Sequence, residues 1–128
     1  MENRFEIKKF FPVEPSEIFN GWLDSDIHAK MTGGSATISM KENDHFSAWD
    51  GYISGKTIKL EKDREIIQSW RTTDFKDDDK NSHLKIELVA IDGGTELTLI
   101  HNNIPDGQPD YKQGWEEHYF APMKKYFG

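Results

Sequence analysis

Leu84-Lys85-Ile86-Glu87-Leu88-Val89-Ala90-Ile91-Asp92-Gly93-Gly94-Thr95-Glu96-Leu97-Thr98-Leu99-Ile100-His101, residues 84–101, alternates apolar and polar side chains on either side of one Asp-Gly-Gly turn. A period of two places Leu84, Ile86, Leu88 and Ala90 on one face of a half-buried strand. Leu97 and Leu99 take the matching face of the next strand, and the turn makes the pair an antiparallel hairpin. The same punctuation recurs upstream. Ala36, Ile38 and Met40 alternate with Thr37, Ser39 and Lys41, and Asn43-Asp44 turns the chain. Phe46, Ala48 and Asp50 alternate with Ser47, Trp49 and Gly51. After a turn at Ser54-Gly55, Ile58 and Leu60 alternate with lysines, and Asp63-Arg64 leads into a strand over 65–72 with Ile66, Ile67 and Trp70. Short turns between strands predict an antiparallel meander.

Helical periodicity lies at the two ends of the chain. A first strand over 4–13, carrying Phe5, Ile7 and Phe11, is followed by Pro15-Ser16-Glu17, a helix start with Ile18, Phe19, Trp22 and Leu23 behind it. A second short helix covers 25–30 and stops before Gly33-Gly34. Pro109-Asp110 opens the last helix, which runs to about Phe127. Tyr111, Trp115, His118, Tyr119, Pro122, Met123 and Tyr126 fall at helical spacings of three and four, a single wide stripe that Gly114 and Pro122 interrupt, with a kink expected at Pro122. Residues 74–82 carry Asp74, Asp77, Asp78 and Asp79 with no apolar face and read as a solvated loop. One strand, two short helices, a strand-rich middle and a long terminal helix make an α+β domain of six to seven strands spanning residues 1–128.

The 128 residues suffice for one domain with its own core, and the absence of cysteine excludes thiol catalysis, cysteine-bound zinc and disulfide scaffolds. A net charge of −7 has the wrong sign for nucleic acid or an anionic membrane. No apolar run spans a bilayer, and Met1-Glu2-Asn3-Arg4-Phe5 lacks a signal-peptide core, so a cytoplasmic protein is expected. Gly51-Tyr52-Ile53-Ser54-Gly55-Lys56-Thr57 has three residues between its glycines, where a phosphate-binding loop needs four, and a strand pattern follows it. The aspartates of 74–79 lack the glycine and closing glutamate of a calcium loop. The histidines show no metal-ligand spacing. No metal, cofactor or catalytic residue is expected.

What remains is an aromatic set. A terminal helix laid across a curved sheet leaves a hollow unless large side chains fill it, and aromatic walls suit a flat or greasy guest. Trp115, His118, Tyr119 and Met123 are the ligand-binding candidates on the terminal helix, with Phe19 and Trp22 on the first helix. The sheet contributes Ile38, Met40, Phe46, Trp70, Leu88 and Leu99. Gln68 and His118 are the polar handles, and each is expected to point at solvent or backbone rather than at a guest.

The ending Gly114-Trp115-Glu116-Glu117-His118-Tyr119-Phe120-Ala121-Pro122-Met123-Lys124-Lys125-Tyr126-Phe127 resembles that of the family named after the activator of heat-shock protein 90 ATPase, C-terminal domain. Other segments agree in order: Phe11-Pro12-Val13, Thr32-Gly33-Gly34-Ser35-Ala36, Ile66-Ile67-Gln68-Ser69-Trp70-Arg71, and Gly94-Thr95-Glu96-Leu97-Thr98-Leu99 with His101-Asn102-Asn103-Ile104-Pro105. At Asn43-Asp44-His45-Phe46 the chain departs from the glycine pair of many members. The resemblance implies the helix-grip fold of the START-like (SRPBCC) superfamily, a curved antiparallel sheet wrapped around a long C-terminal helix. It is a resemblance to the C-terminal domain standing alone, without the N-terminal domain with which the eukaryotic co-chaperone grips its chaperone. Three readings follow, in order. The first is binding of a small hydrophobic molecule, and the second is a co-chaperone stimulating a heat-shock protein 90 type ATPase. The third is an enzyme using His118 or His101 as its general acid or base. A monomer or weak homodimer is expected, with the edge strand near residues 4–11 as the contact.

Overall fold

The computed structural model describes residues 3–128. The strands are β1 (Asn3–Phe11), β2 (Ala36–Thr37), β3 (His45–Ala48), β4 (Ile53–Glu61), β5 (Glu65–Thr72), β6 (Ser82–Ile91) and β7 (Gly94–Ile104). They form one antiparallel sheet in the order β1-β7-β6-β5-β4-β3-β2. Helices α1 (Pro15–Leu23) and α2 (Ser25–Thr32) follow β1. The terminal helix runs in three parts: α3 (Tyr111–Trp115), a π-helical turn (Glu116–Phe120) and α4 (Ala121–Phe127). This is the helix-grip arrangement, and the hairpin of 84–101 supplies the two strands next to the edge strand β1.

Register explains which residues face the helix. Ile7, Leu99, Ile86 and Ile66 pair across four successive strands, and each is buried. The next row towards the cavity is mostly polar: Thr57, Gln68 and His101, with Leu84 between the last two, are partners in register, and Gln68 Nε2 donates to Thr57 Oγ1 at 3.2 Å. Gln68 therefore turns inward, not to solvent or backbone, because its neighbours Ile66 and Trp70 share that face. Ala90 lies beyond the helix at the hairpin tip and is exposed.

Several local expectations are corrected. The alternation of residues 36–40 does not make a strand beyond Thr37; Ser25 Oγ instead bonds both the N–H and the carbonyl of Ile38. Met40, past that anchor, is 53% exposed. Ser54-Gly55 is not a turn but the interior of β4, where Gly55 faces Trp70. A β-carbon on Gly55 would lie 1.9 Å from the Ser69 carbonyl oxygen, so only glycine lets the strands approach. A register shift between Thr57 and Lys59 turns Ile58 out to solvent. The acidic loop does have an apolar anchor: Phe75 is buried against Trp70 and Tyr111.

Pro122 widens the terminal helix instead of ending it. Its nitrogen carries no hydrogen for the carbonyl four residues back, and its ring crowds that turn. The Ala121 N–H reaches back five residues to the Glu116 carbonyl. The extra residue shifts the buried stripe: Tyr111, Trp115 and Tyr119 are followed by Phe120 and Met123, whereas His118 and Tyr126 face outward.

Candidate functional site

A cavity of about 480 Å³ opens between the start of the terminal helix, the β3–β4 turn and the end of β5. Trp70 and Ile53 form its floor, and Trp49 and Tyr52 come from the turn. Tyr111, Trp115, Tyr119 and His118 descend from the helix. The rings make one continuous wall, with centroids of Trp115 and Tyr119 4.6 Å apart and those of Trp70 and Tyr111 4.9 Å apart. Asp110 and Glu117 stand on the rim. Asp110 caps α3 by accepting from the Gln113 N–H, while the Gln113 side chain donates to Glu117 at 2.6 Å.

Trp49 reaches this wall through a strained backbone. Trp49 and Asp50 have φ of +53° and +56°, in the left-handed region that bulky residues avoid. Ser35 holds them there, its carbonyl accepting from the Trp49 N–H at 2.7 Å and its hydroxyl accepting from the Asp50 N–H at 3.2 Å. The indole lies over Gly34, where a β-carbon would come within 2.4 Å of the ring. Trp49 Nε1 is buried and approaches the Tyr119 hydroxyl without hydrogen-bond geometry.

Behind the wall, neutral histidines fix the aromatic tips. Trp115 Nε1 donates to His101 Nδ1 at 3.2 Å, so that nitrogen carries no proton. His101 Nε2–H then donates to the Ser82 hydroxyl at 2.8 Å, and Ser82 donates to the Trp70 carbonyl at 2.7 Å. His28 uses the opposite tautomer, with Nδ1–H donating to the Trp22 carbonyl at 2.8 Å and Nε2 accepting from the Tyr119 hydroxyl at 3.0 Å. Burial pushes the His101 pKa down to about 3, with the nearby His83 adding to the effect, and burial lowers that of His28. Burial likewise raises the phenols of Tyr119 and Tyr111.

The far end of the cavity is closed by a ring of hydrogen bonds. The Asp74 N–H donates to Thr72 Oγ1 at 3.1 Å, Thr72 to the Tyr111 hydroxyl at 2.7 Å, and Tyr111 to Gln108 Oε1 at 2.7 Å. Gln108 Nε2 returns to the Asp74 carbonyl at 3.2 Å. Tyr52 adds a bond to the Asp74 carboxylate at 2.5 Å. Three separate loops are thereby tied to the first turn of α3.

Of the residues singled out from sequence, Trp70, Trp115, His118 and Tyr119 line the cavity. Phe19, Trp22, Leu88, Leu99 and Met123 belong to the solid core beneath the helix, and Ile38 and Phe46 are buried beside it. Met40 points to solvent. Hydrophobic periodicity marks a face, and most of that face is packed by the protein's own helices. His101 is fully buried with both ring nitrogens engaged, so it cannot exchange a proton with a guest. His118 is exposed at the rim, 5.7 Å from the Trp49 ring and edge-on to it. Tyr52 and Ile53 went unsignalled, while Trp49 and Tyr111 stand among the aromatics of the sequence but outside the candidates. The Trp-Asp-Gly-Tyr run at 49–52 is a turn signal that brings two rings to one place. Among the described residues, no group of three or more His, Asp or Glu is placed to hold a metal, and no helix is long and apolar enough to cross a membrane.

A family model described as Activator of Hsp90 ATPase homolog 1-like protein matches residues 12–128. The human protein described as Activator of 90 kDa heat shock protein ATPase homolog 1 is 28% identical over 98% of this chain, which corresponds to 37% of the human protein. The chain thus spans little more than a third of the length of that curated relative. The crystal structure of an HSP90 activator from Plasmodium falciparum superposes with a TM-score of 0.88 at 26% identity, covering 96% of this chain and 94% of that one. The solution structure of the Aha1 dimer from Colwellia psychrerythraea, at 10% identity, shares the fold with a TM-score of 0.77, covering 98% of this chain and 93% of that one.

Proposed function

The chain belongs to the Activator of Hsp90 ATPase homolog 1-like family, and from that premise and the cavity's walls we propose that it binds a small hydrophobic or aromatic molecule between its terminal helix and its sheet. The observation that carries this reading is the hollow of about 480 Å³ bounded by the rings of Trp49, Trp70, Trp115 and Tyr119. Its size lies within the range of about 300–1,000 Å³ usual for small-molecule sites. The wall is fixed before any guest arrives, because Trp115 and Tyr119 are held by His101 and His28. Little ordering is then left to oppose binding. Titration with a panel of apolar dyes and lipids tests it: quenching or shifting of Trp emission supports the reading, and an unchanged spectrum and melting temperature across the panel oppose it.

A second reading is favoured by the comparisons. A protein described as an HSP90 activator matches nearly the whole of this chain, and nearly the whole of its own chain, at 26% identity. On this reading the domain stimulates a heat-shock protein 90 type ATPase, with a cytoplasmic location to match. A coupled ATPase assay with the host chaperone decides it, absence of both binding and stimulation retiring the idea. A homodimer through β1 is the weaker part of the proposal. Lys124 Nζ already donates to the Phe10 carbonyl, and Lys9 pairs with Glu116 at 2.8 Å, so the terminal helix occupies part of that edge.

A further inference from the structure

We propose that the cavity's guest is an organic cation, an alkylated or aromatic ammonium with an apolar body; the inference rests on the ligand-binding reading and narrows its chemistry. Two features of the wall point the same way.

The first is that the lining is aromatic and turns most of its ring hydrogen-bond donors away from a guest. Trp115 Nε1 donates to His101, Tyr119 to His28, Tyr111 to Gln108, and Tyr52 to Asp74. Trp49 Nε1 is buried as well. A carboxylate or phosphate guest needs donors, and it would find the first four committed and the buried Trp49 donor out of reach. The faces of indoles and phenols carry the negative part of the ring quadrupole and attract a cation within about 6 Å of the centroid.

The second is the sign of the rim. Asp110 and Glu117 are the acidic residues of the lining, and no Lys or Arg lies among the lining residues. Gln113 orients both carboxylates, through its backbone N–H to Asp110 and its side chain to Glu117. They stand about two helical turns apart at the cavity's mouth.

Titration at low salt with three probes tests the inference: benzyltrimethylammonium, its uncharged carbon isostere 2,2-dimethylpropylbenzene, and 4-tert-butylbenzoate, an anion of similar bulk. Trp emission and heat of binding are the readouts. The cation is expected to bind roughly tenfold or more tightly than the isostere, with the anion weakest. Asp110→Asn with Glu117→Gln should shrink the cation's advantage several-fold and leave the isostere unchanged; asparagine keeps the helix cap, so the fold survives. Asp77→Asn with Asp78→Asn removes the same charge from the loop between β5 and β6, and should leave the advantage intact. An isostere that binds as well as the cation overturns the inference while the ligand-binding reading stands. An equal loss of selectivity in the two double variants overturns it too, because the diffuse field of an acidic protein would then account for the preference. Failure of all three probes to bind removes the inference and the ligand-binding reading together.

Discussion

At Gly55 a β-carbon would meet the Ser69 carbonyl oxygen at 1.9 Å and the Phe46 ring at 2.9 Å. The nearer obstacle is backbone, which cannot swing aside. Gly55→Ala should therefore cost about 3 kcal/mol or more, read as a shift in the urea midpoint. His101 makes a different demand. Above its ordinary pKa of 6.5 the imidazole is neutral in folded and unfolded chains alike, so no pH dependence arises from it there. Below that pH the unfolded chain takes up a proton that the folded chain, with its pKa near 3, refuses. Stability should fall as the pH drops through this window, with a slope of up to about 1.4 kcal/mol per pH unit from this residue, and His28 adds in the same direction. His101→Leu should flatten that acid limb. It should also lower stability at neutral pH by about 1–3 kcal/mol, because Trp115 Nε1 loses its acceptor. Urea melts at neutral and acid pH check both effects. Neither residue's role is visible in the sequence, where Gly55 resembles a turn glycine and His101 a candidate base.

The terminal helix shows what periodicity conveys and where it fails. Steps of three and four identify the helix and its inward rings as far as Tyr119. Past that point the π turn before Pro122 adds a residue, so Phe120 replaces Tyr126 in the buried set. A regular period carries no mark of such an insertion. The loop between β5 and β6 fails for another reason: its aspartates dominate its composition, yet the single ring of Phe75 pins it under Trp70 and Tyr111. The hydrogen-bond ring through Tyr111 joins that loop to α3, which makes it the element-level test. Tyr111→Phe removes the donor to Gln108 and the acceptor for Thr72, while the phenyl ring still fills its place. The expected loss is about 1–2 kcal/mol. Faster amide exchange should appear in residues 105–110 and 73–75, with little change in β6 and β7.

On the scale of the molecule, one curved sheet and one helix produce both a core and a hollow. Beneath α4 the gap is filled by Phe11, Phe120 and Met123, each buried. Near α3 it stays open, because the sheet has narrowed to β4, β5 and the β3–β4 turn while the helix rides over Trp70. A guest in that hollow binds the folded chain alone. At a hundred times its dissociation constant it should raise stability by about 2.7 kcal/mol, seen as a concentration-dependent rise in melting temperature. A chaperone partner that docks on an outer surface should leave Trp emission from the cavity unchanged on binding, which separates the two functional readings in one cuvette.

The order of strands and helices was written in the sequence, because alternation, turn residues and helical spacing are local and each survives in a one-dimensional reading. So were the family and the helix-grip fold, through segments kept in the same order along the chain, and so was the aromatic character of any site. Which rings line the cavity was decided only by tertiary structure. Trp22, Leu99 and Met123 look as well suited as Trp70 and Tyr119, and the difference lies in what packs against them from distant parts of the chain. Trp49 enters the wall because Ser35, in the connection between α2 and β2, holds its backbone where its own preferences would not take it, and Gly34 leaves room for its ring. A cavity is space that packing leaves empty, and emptiness depends on every neighbour at once.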